Sequence, residues 1–392
     1  MNKNWVSPNT IVGDAATGIR YLRREEINSE FWAEVKKGNH ILFVAPRRVG
    51  KTSIMKDLAE NPAAGYTCIY QNIEGVKSRN EFYQRLFELI LHCVTKVSKA
   101  KALLGKWQNT YQIGEITKAG IKFNRKDIDY EVEVRSIIPE LVDAQIHTVL
   151  FLDEFAEVIL KLQKQGKQQD AIDILHTLRE FRSDENFRHF TLVFAGSIGL
   201  EYVIKSIDRP KIINDIYRIH TVALSKNEAD KLIYQLLNGS TITLDETVQM
   251  YLCDKIQHLL PYYIQLMLQE LDTVAKAKSS PVINDEMIDE AFRKVVVKNT
   301  NFEDWLVRLR DYQQANFPFI NAILIMCAHK KIITVQEVYD LAEKFSKTDN
   351  YMDFVDELMV DGYLIEFEEH KYQFLSPFLQ NFWLKKFPIY HA

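Results

Sequence analysis

Short runs of consecutive apolar residues alternate with segments of helical composition over the first 222 residues of the chain. Four runs have the length and continuity of strands that are buried on both faces: Ile41–Val44, Tyr66–Tyr70, Thr148–Leu152 and Thr191–Ala195. Longer amphipathic segments lie between them, near 79–103 and 168–182. Because strands that alternate with helices form parallel sheets covered by helices, residues 1–222 are predicted to be an α/β domain.

Strands disappear from the pattern between 223 and 299. Ser225 followed by Glu228 is a capping box, which predicts the start of a helix. A second helix is predicted from Thr243, and a third from Pro261, because proline is favoured in the first turn of a helix. This part of the chain is therefore predicted to be an all-helical domain.

Residues 300–392 combine helical periodicity with a short hairpin after Asp361-Gly362. Three helices and two strands are predicted, at about 315–329, 334–345, 348–361, 363–367 and 371–374. Three helices followed by a two-stranded wing are typical of a winged-helix domain.

Polar, glycine-bearing sequence interrupts the α/β pattern between 104 and 131. A hairpin is predicted from Gly114 to Phe123 within it. We interpret this segment as an insertion at the edge of the sheet and assign it no role.

Length and charge narrow the classes of protein that the chain can belong to. A chain of 392 residues is too long for one core and predicts two or three domains. Its formal charge of −4 provides no overall field that would recruit nucleic acid.

The predicted helix and wing between 349 and 369 carry eight acidic residues and no Lys or Arg: Asp349, Asp353, Asp356, Glu357, Asp361, Glu366, Glu368 and Glu369. Because phosphates would repel this surface, a protein-docking role is favoured over DNA reading.

The four cysteines, Cys68, Cys93, Cys253 and Cys327, are scattered among apolar residues without a C-x-x-C pair. They are predicted to be buried thiols rather than metal ligands. The N-terminus lacks the apolar core of a signal peptide, and the apolar stretch 317–328 is too short to span a bilayer. A cytoplasmic location without membrane contact is predicted.

The segment between the first predicted strand and the next helix has the composition of a phosphate-binding loop. It reads Ala45-Pro46-Arg47-Arg48-Val49-Gly50-Lys51-Thr52-Ser53. Backbone N–H groups at a helix N-terminus, assisted by the helix dipole, can hold a polyphosphate. Gly50 allows close approach, Lys51 places an ammonium between the β- and γ-phosphates, and the Thr52 hydroxyl ligates Mg²⁺. Ala45 replaces the first glycine of the usual motif, and its methyl group is tolerated if φ is negative.

A Gly-Lys-Thr triplet also occurs in ordinary surface turns, so a second signal matters. The run Thr148–Leu152 ends in Asp153-Glu154, the pattern of a Walker B strand. Asp153 would hold the Mg²⁺ shell, and Glu154 would orient or deprotonate the attacking water. Together, the two motifs predict a nucleotide-binding site.

The run Thr191–Ala195 is followed by Gly196-Ser197. Ligands of doubly wound sheets collect at the carboxyl ends of strands. Ser197 is therefore a candidate sensor of the γ-phosphate, and the alternative is a simple Gly-Ser turn.

These motifs resemble those of the archaeal and bacterial AAA+/STAND-type ATPases, whose loop reads Gly-Pro-Arg-Arg-x-Gly-Lys-Thr-Ser and whose Walker B strand is followed by Asp-Glu-Phe. The family's upstream glycine segment matches Val12-Gly13. Its Gly-x-Pro-Tyr segment corresponds to Leu259-Leu260-Pro261-Tyr262, which keeps the proline and lacks the glycine. The resemblance implies an AAA+-like fold that consists of a P-loop domain, a helical lid and a winged helix, with bounds near 1–222, 223–299 and 300–392. It also implies ATP rather than GTP, with Val12, Gly13 and Pro261 near the base.

Several arginines could contact phosphate. Arg47 and Arg48 lie inside the loop and could touch phosphate or a neighbouring subunit, whereas Arg182 and Arg188 flank the turn where AAA+ proteins present an arginine finger in trans. Arg218 could sense nucleotide from the start of the lid. For each of them, the alternative is a surface arginine in an ion pair.

Three functions remain open from the sequence. The first is a slow ATPase whose nucleotide state moves the lid and winged helix, with assembly into a homo-oligomer or contact with a protein partner. The second is a DNA-handling loader or regulator. The third is a module that binds ATP without hydrolysing it, which the intact Asp153-Glu154 pair disfavours.

Overall fold

Residues 5–95, 101–111, 113–117, 120–123, 128–196, 199–207, 210–298 and 302–390 are described by a computed structural model of the chain. They divide into two units. The sheet unit contains Arg23–Val44 and Lys51–Thr221. The helical unit contains the residues up to Leu22, the loop Ala45–Gly50 and the residues from Val222 onwards. The loop that joins the first strand to the next helix thus groups with residues distant from it in the chain.

The sheet unit contains seven strands and eight α-helices among its described residues. In chain order they are α1 (Glu25–Lys36), β1 (Ile41–Val44), α2 (Lys51–Glu60), β2 (Tyr66–Asn72), α3 (Arg79–Thr95), α4 (Lys101–Tyr111), β3 (Ile113–Thr117), β4 (Gly120–Phe123), α5 (Tyr130–Asp143), β5 (His147–Asp153), α6 (Phe155–Lys164), α7 (Gln168–Ser183), β6 (Phe190–Phe194), α8 (Leu200–Ser206) and β7 (Tyr217–His220).

Five of these strands form a parallel sheet in the order β2-β5-β6-β1-β7. The four predicted strands are confirmed as β1, β2, β5 and β6, and β7 adds an edge strand that the pattern did not predict. The interior strand β5 is buried from Thr148 to Asp153 because helices cover both faces of the sheet. In the register of the sheet, Asp153 lies opposite Asn72 of β2, and Leu152 lies opposite Phe194 of β6. The carboxyl ends of all five strands therefore meet at one edge.

The predicted hairpin in the insertion is confirmed as β3 and β4, which pair only with each other among the described strands. No helix was predicted at the start of the same segment, but the structure has one there. Residues from 104 onwards belong to α4, whose Trp107 is 1% exposed and donates to Glu140 of α5 at 2.8 Å. Burial of this large ring anchors α4 against α5.

His40, just before β1, is a buried histidine in the core of the sheet unit. Its Nδ1 accepts a hydrogen bond from the backbone N–H of Leu192 at 2.9 Å, which requires the neutral ring. Burial lowers the pKa of the imidazole to about 3, and the Arg182 guanidinium acts in the same direction. Folding therefore excludes the proton that the unfolded chain would take up near pH 6.5.

This linkage predicts a pH dependence of stability. Because the folded pKa lies below the unfolded one, stability is fully present above pH 6.5 and falls by about 1.4 kcal/mol per pH unit between pH 6.5 and 3. Urea unfolding of the wild type should show a lower midpoint at pH 5 than at pH 7. His40→Asn keeps an acceptor for Leu192 and should have a flatter pH profile, whereas the same change at His176, an exposed residue of α7, should leave the slope intact. Equal slopes in the two variants would contradict this assignment.

The helical unit contains the remaining elements. In chain order they are α9 (Lys226–Leu237), α10 (Glu246–Ile256), α11 (Pro261–Lys278), α12 (Asp285–Val297), α13 (Glu303–Gln313), α14 (Phe317–Lys330), β8 (Ile332–Thr334), α15 (Val335–Phe345), α16 (Tyr351–Val360), β9 (Leu364–Glu368), β10 (Lys371–Phe374) and α17 (Pro377–Lys386).

Local signals in the sequence explain the first three helices of this unit. The Ser225–Glu228 capping box caps α9, and Pro261 occupies the first turn of α11, as predicted. The second helix, α10, begins at Glu246 and not at Thr243. Its N-cap is Asp245, whose side chain accepts from the N–H of Val248.

The helices and strands predicted near the C-terminus are confirmed as α14, α15, α16, β9 and β10. The short strand β8 joins them in an antiparallel sheet of order β8-β10-β9. Helix α13 precedes this group and α17 follows it. Trp305 of α13 and Trp383 of α17 are both buried completely, so these two helices belong to the core of the helical unit.

Two expectations about the chain as a whole can be compared with the structure. All four cysteines are buried and unbridged, as predicted. In the part of the chain that the structure describes, no helix combines the length and the hydropathy needed to cross a bilayer.

Candidate functional site

The loop Ala45–Gly50 leads directly from β1 to the first residue of α2. Two of its residues have left-handed backbone conformations, Arg48 with φ 69° and Gly50 with φ 100°. Glycine adopts this conformation without strain, whereas an L side chain at position 50 would be strained. Ala45 is not among the residues of positive φ, so the condition for tolerating its methyl group is met. The departure from the usual motif therefore costs the loop no backbone strain.

The first turn of α2 and the end of β5 meet inside the sheet unit. The Thr52 hydroxyl donates to Asp153 Oδ2 at 2.8 Å. Asp153 is 2% exposed, and Lys51 and Ser53 are also buried. The two motifs that the sequence places 101 residues apart are therefore joined by a direct hydrogen bond. A buried carboxylate beside a hydroxyl at a helix N-terminus is a set of hard oxygen donors, which fits Mg²⁺.

Glu154 has an unusual backbone for a glutamate. It lies in the left-handed region, with φ 60° and ψ 30°, and immediately precedes α6. This conformation costs a non-glycine residue about 1–2 kcal/mol. Its backbone N–H donates to Asp153 Oδ1 at 3.0 Å, which ties the two acidic residues together. The strain is compatible with a side chain that is kept for chemistry rather than for stability.

Tyr70 of β2 is a site residue that the sequence did not reveal. Its hydroxyl donates to Asp153 Oδ2 at 2.8 Å, the same oxygen that accepts from Thr52. Burial raises the pKa of the Tyr70 hydroxyl, and the neighbouring carboxylates of Asp153 and Glu154 raise it further. The phenol therefore stays protonated and donates to the carboxylate. Because the contact runs between adjacent strands, no local motif predicts it.

Replacement of Tyr70 by phenylalanine should keep the packing and remove one of the two side-chain donors to Asp153 Oδ2. We expect the ATP hydrolysis that the sequence predicts to fall about three- to tenfold, because a hydrogen bond to a charged group is lost. Tyr66→Phe, at the opposite end of β2, is the matched control and should hydrolyse ATP like the wild type. Steady-state phosphate release over a range of Mg²⁺ concentrations measures both. Indistinguishable rates for the two variants would exclude a role of Tyr70 in the site.

The residues predicted to lie near a base are in the helical unit. Val12 packs against the core of that unit, and Gly13 has φ 109°. The backbone N–H of Ile11 donates to the side chain of Gln265 at 2.8 Å. Gln265 lies one turn along α11 from Pro261. The structure thus brings the N-terminal segment to the same helix that Pro261 begins.

The two arginines of the loop lie on aromatic rings of the helical unit. The Arg47 guanidinium carbon is 5.0 Å from the centroid of the Trp305 ring. The Arg48 guanidinium carbon is 4.3 Å from the ring centroid of Tyr262, next to Pro261. Sequence reasoning identified both arginines but could not identify these rings, which are more than 200 positions away along the chain.

Arg182 does not have the geometry of an arginine finger, and that prediction is corrected. Its side chain is 2% exposed and holds Asp215 through Nε at 2.5 Å and Nη2 at 3.1 Å. Burial raises the pKa of Asp215, but the hydrogen bonds and charge of Arg182 outweigh this effect and hold the pKa below its usual value. A buried arginine in a bidentate pair within its own unit cannot reach a neighbouring subunit. Ser197 lies outside the described residues.

The comparisons with known proteins bear on the fold. No family model and no curated protein matches the chain. The parallel sheet, its flanking helices and the loop at the start of α2 define an α/β P-loop nucleoside-triphosphatase fold. A Walker-type ATPase of Pyrococcus abyssi has a similar structure, with a TM-score of 0.63 and 16% identity over 93% of this chain and 99% of that chain. The ORC2 protein of Aeropyrum pernix aligns with a TM-score of 0.49 and 12% identity over 99% and 98% of the two chains.

Proposed function

We propose that this protein is an ATP-binding and ATP-hydrolysing AAA+-type enzyme of the STAND kind, in which the bound nucleotide controls contacts with a partner. The observation that carries the proposal is the 2.8 Å hydrogen bond between Thr52 and the buried Asp153, beside the buried Lys51. A surface turn would not bury a lysine, a hydroxyl and a carboxylate at the end of a central strand. The similarity of the fold to a protein described as a Walker-type ATPase supports the same conclusion.

Each residue of the site has a proposed role. The backbone N–H groups at the start of α2 and the Lys51 ammonium bind the phosphates, with help from the helix dipole. Thr52 and Asp153 would hold Mg²⁺, which neutralises developing charge on the phosphates when it is bound. Glu154 orients the attacking water and accepts its proton. Ser197 is proposed to sense the γ-phosphate, and Val12, Gly13 and Pro261 to lie near an adenine base.

We propose the domain organisation that the sequence predicts, with a helical lid at 223–299 and a winged helix at 300–392. The partner is proposed to be a protein, either a second copy of the chain or a different one that docks on the winged helix. Three helices followed by a hairpin are typical of winged helices, and this order of elements supports the proposed winged-helix domain. Arg182 takes no part in a contact between copies because it is committed to Asp215.

A DNA-handling function is the less favoured alternative. Helix α16 and the wing carry the acidic residues already described, which would repel phosphates. The lysines at the end of α17 are engaged within the helical unit, since Lys386 pairs with Glu303 at 2.9 Å and Lys385 donates to the carbonyl of Val297 at 3.3 Å. These contacts leave the basic end of the segment unsuited to groove binding.

Phosphate release from ATP and from GTP, with Mg²⁺ and with EDTA, tests the proposal. The proposed function requires Mg²⁺-dependent release that is faster with ATP than with GTP. Tight ATP binding without release would favour the binding-module alternative. If the protein neither binds ATP nor releases phosphate from it, the proposed nucleotide site is refuted.

A further inference from the structure

The phosphate-binding loop is held by the C-terminal part of the helical unit. Val49 is 2% exposed and belongs to the same buried cluster as Trp305, Tyr363 and Leu375. A Cβ atom on Gly362, in the turn between α16 and β9, would lie 2.8 Å from Pro46 Cβ and 3.4 Å from the backbone nitrogen of Arg47. Only a glycine therefore allows this turn to approach the loop as closely as it does.

Helix α13 and the Gly362 turn are fastened to each other beneath the loop. The Tyr363 hydroxyl donates to the carbonyl oxygen of Trp305 at 2.8 Å, and the two rings meet edge to face with centroids 5.0 Å apart. Trp305 is completely buried and lies under the Arg47 guanidinium. Pro46, Arg47, Trp305, Gly362 and Tyr363 thus form one contact, which we name the arginine latch.

In the arginine latch, the hydrogen-bonding capacity of the Arg47 guanidinium is only partly used. Among the described residues, its Nη1 atom is buried and has no hydrogen-bond partner. Burial lowers the pKa of the Arg47 guanidinium, and the positive charges of Arg308 and Arg48 act in the same direction, whereas Tyr363 and Asp361 act against it. A buried N–H without a partner and a cation near other cations both disfavour this position. The guanidinium would gain from an anionic acceptor.

A bound nucleotide would supply that acceptor, since Arg47 lies four positions before Lys51 in the loop. A charge-assisted hydrogen bond to a phosphate oxygen is stronger than a contact with the face of an indole ring. The Nη1 atom cannot reach a ligand while it is buried and the guanidinium lies on the Trp305 ring. Phosphate binding and the latch therefore compete for the same side chain.

We propose that Arg47 binds a phosphate group of a nucleoside triphosphate, and that in the structure described here Trp305 and the Gly362 turn keep it from doing so. Nucleotide binding and the arginine latch therefore exclude each other. This inference rests on the proposed function and identifies how the nucleotide reaches the C-terminal segment. By reciprocity, loosening the latch strengthens nucleotide binding, and nucleotide binding loosens the latch.

Hydrogen exchange of the full chain tests whether nucleotide binding loosens the arginine latch. A non-hydrolysable ATP analogue should speed exchange of the amides in α13 and the 361–363 turn by about tenfold. In Arg47→Met, an apolar side chain still covers Trp305 but offers no charge. This variant should bind the analogue about tenfold more weakly and show no change in exchange of α13 when the analogue is bound at saturation.

The nucleotide affinities of a matched pair of variants test whether loosening the arginine latch strengthens nucleotide binding. Gly362→Ala introduces a clash with Pro46 at a position with φ +84°. Gly239→Ala imposes similar backbone strain at φ +77° but meets no atom within 4 Å. Gly362→Ala should bind the analogue about three- to tenfold more tightly than Gly239→Ala, because it weakens the competing contact. Circular dichroism of both variants establishes that they are folded.

The outcomes separate this inference from the proposed function. If the analogue binds the wild type but leaves or slows the exchange of α13, the latch does not compete with nucleotide, and the inference is overturned while the proposed function stands. Equal affinities of the two folded glycine variants would overturn it in the same way. If Gly362→Ala does not fold, the wild-type and Arg47→Met exchange data decide. Absence of analogue binding to the wild type removes the proposed function and this inference with it.

Discussion

Replacement of Lys51 by alanine is expected to lower ATP affinity by two to three orders of magnitude, about 3–4 kcal/mol in binding free energy. Lys51 is the first residue of α2, where the phosphates are proposed to bind, and it is only 8% exposed to water. In such a place, the attraction between an ammonium and a phosphate is much stronger than at a surface. Titration calorimetry with a non-hydrolysable ATP analogue measures the loss.

The control for this variant is Lys36→Ala, in the last turn of α1 and exposed. It removes one positive charge from the same unit and should bind the analogue as the wild type does. Thermal unfolding of both variants shows whether the fold is kept. Wild-type affinity in a folded Lys51→Ala protein would contradict the role of the loop.

Replacement of Glu154 by glutamine is expected to separate binding from hydrolysis. Glutamine has the same shape and the same backbone tolerance, so the αL conformation before α6 and the nucleotide affinity should be preserved. It cannot accept a proton from water, and the rate of phosphate release should therefore fall by about 10²–10⁴. Single-turnover phosphate release, measured alongside analogue binding, reports both quantities.

Glu157→Gln is the matched control, because Glu157 lies in the first turn of the same helix and is similarly half-buried. Its hydrolysis rate should stay within about twofold of the wild type. Normal turnover by the Glu154→Gln protein would remove that residue from the mechanism. A loss of both binding and turnover would mean that Glu154 supports the structure of the site rather than the chemistry.

Local patterns were sufficient to predict most of the sheet unit and the candidate residues in it. Continuous apolar runs identified four of the five strands of the main sheet, because central parallel strands are apolar on both faces. The short edge strand β7 was missed, since Ile219 is its only buried residue and Tyr217 is exposed. The loop before α2 and the acids after β5 were recognisable because each motif is contiguous in the chain.

Contacts between distant residues could not be read from such patterns. Tyr70 meets Asp153 only because β2 and β5 are neighbours in the sheet. In the sequence, Arg182 was indistinguishable from an exposed arginine beside a turn. Its bidentate pair with Asp215 depends on how residues 33 positions apart fold together. The arginine latch joins Pro46 to Gly362, and no periodicity of the sequence links these positions.

The most direct test of the nucleotide site is a crystal structure of the chain grown with Mg²⁺ and a non-hydrolysable ATP analogue. We predict phosphates at the backbone N–H groups of the loop and of the first turn of α2, with the Thr52 hydroxyl turned from Asp153 to the metal ion. A structure grown at saturating analogue in which Thr52 still donates to Asp153 and no phosphate lies at the loop would contradict the account.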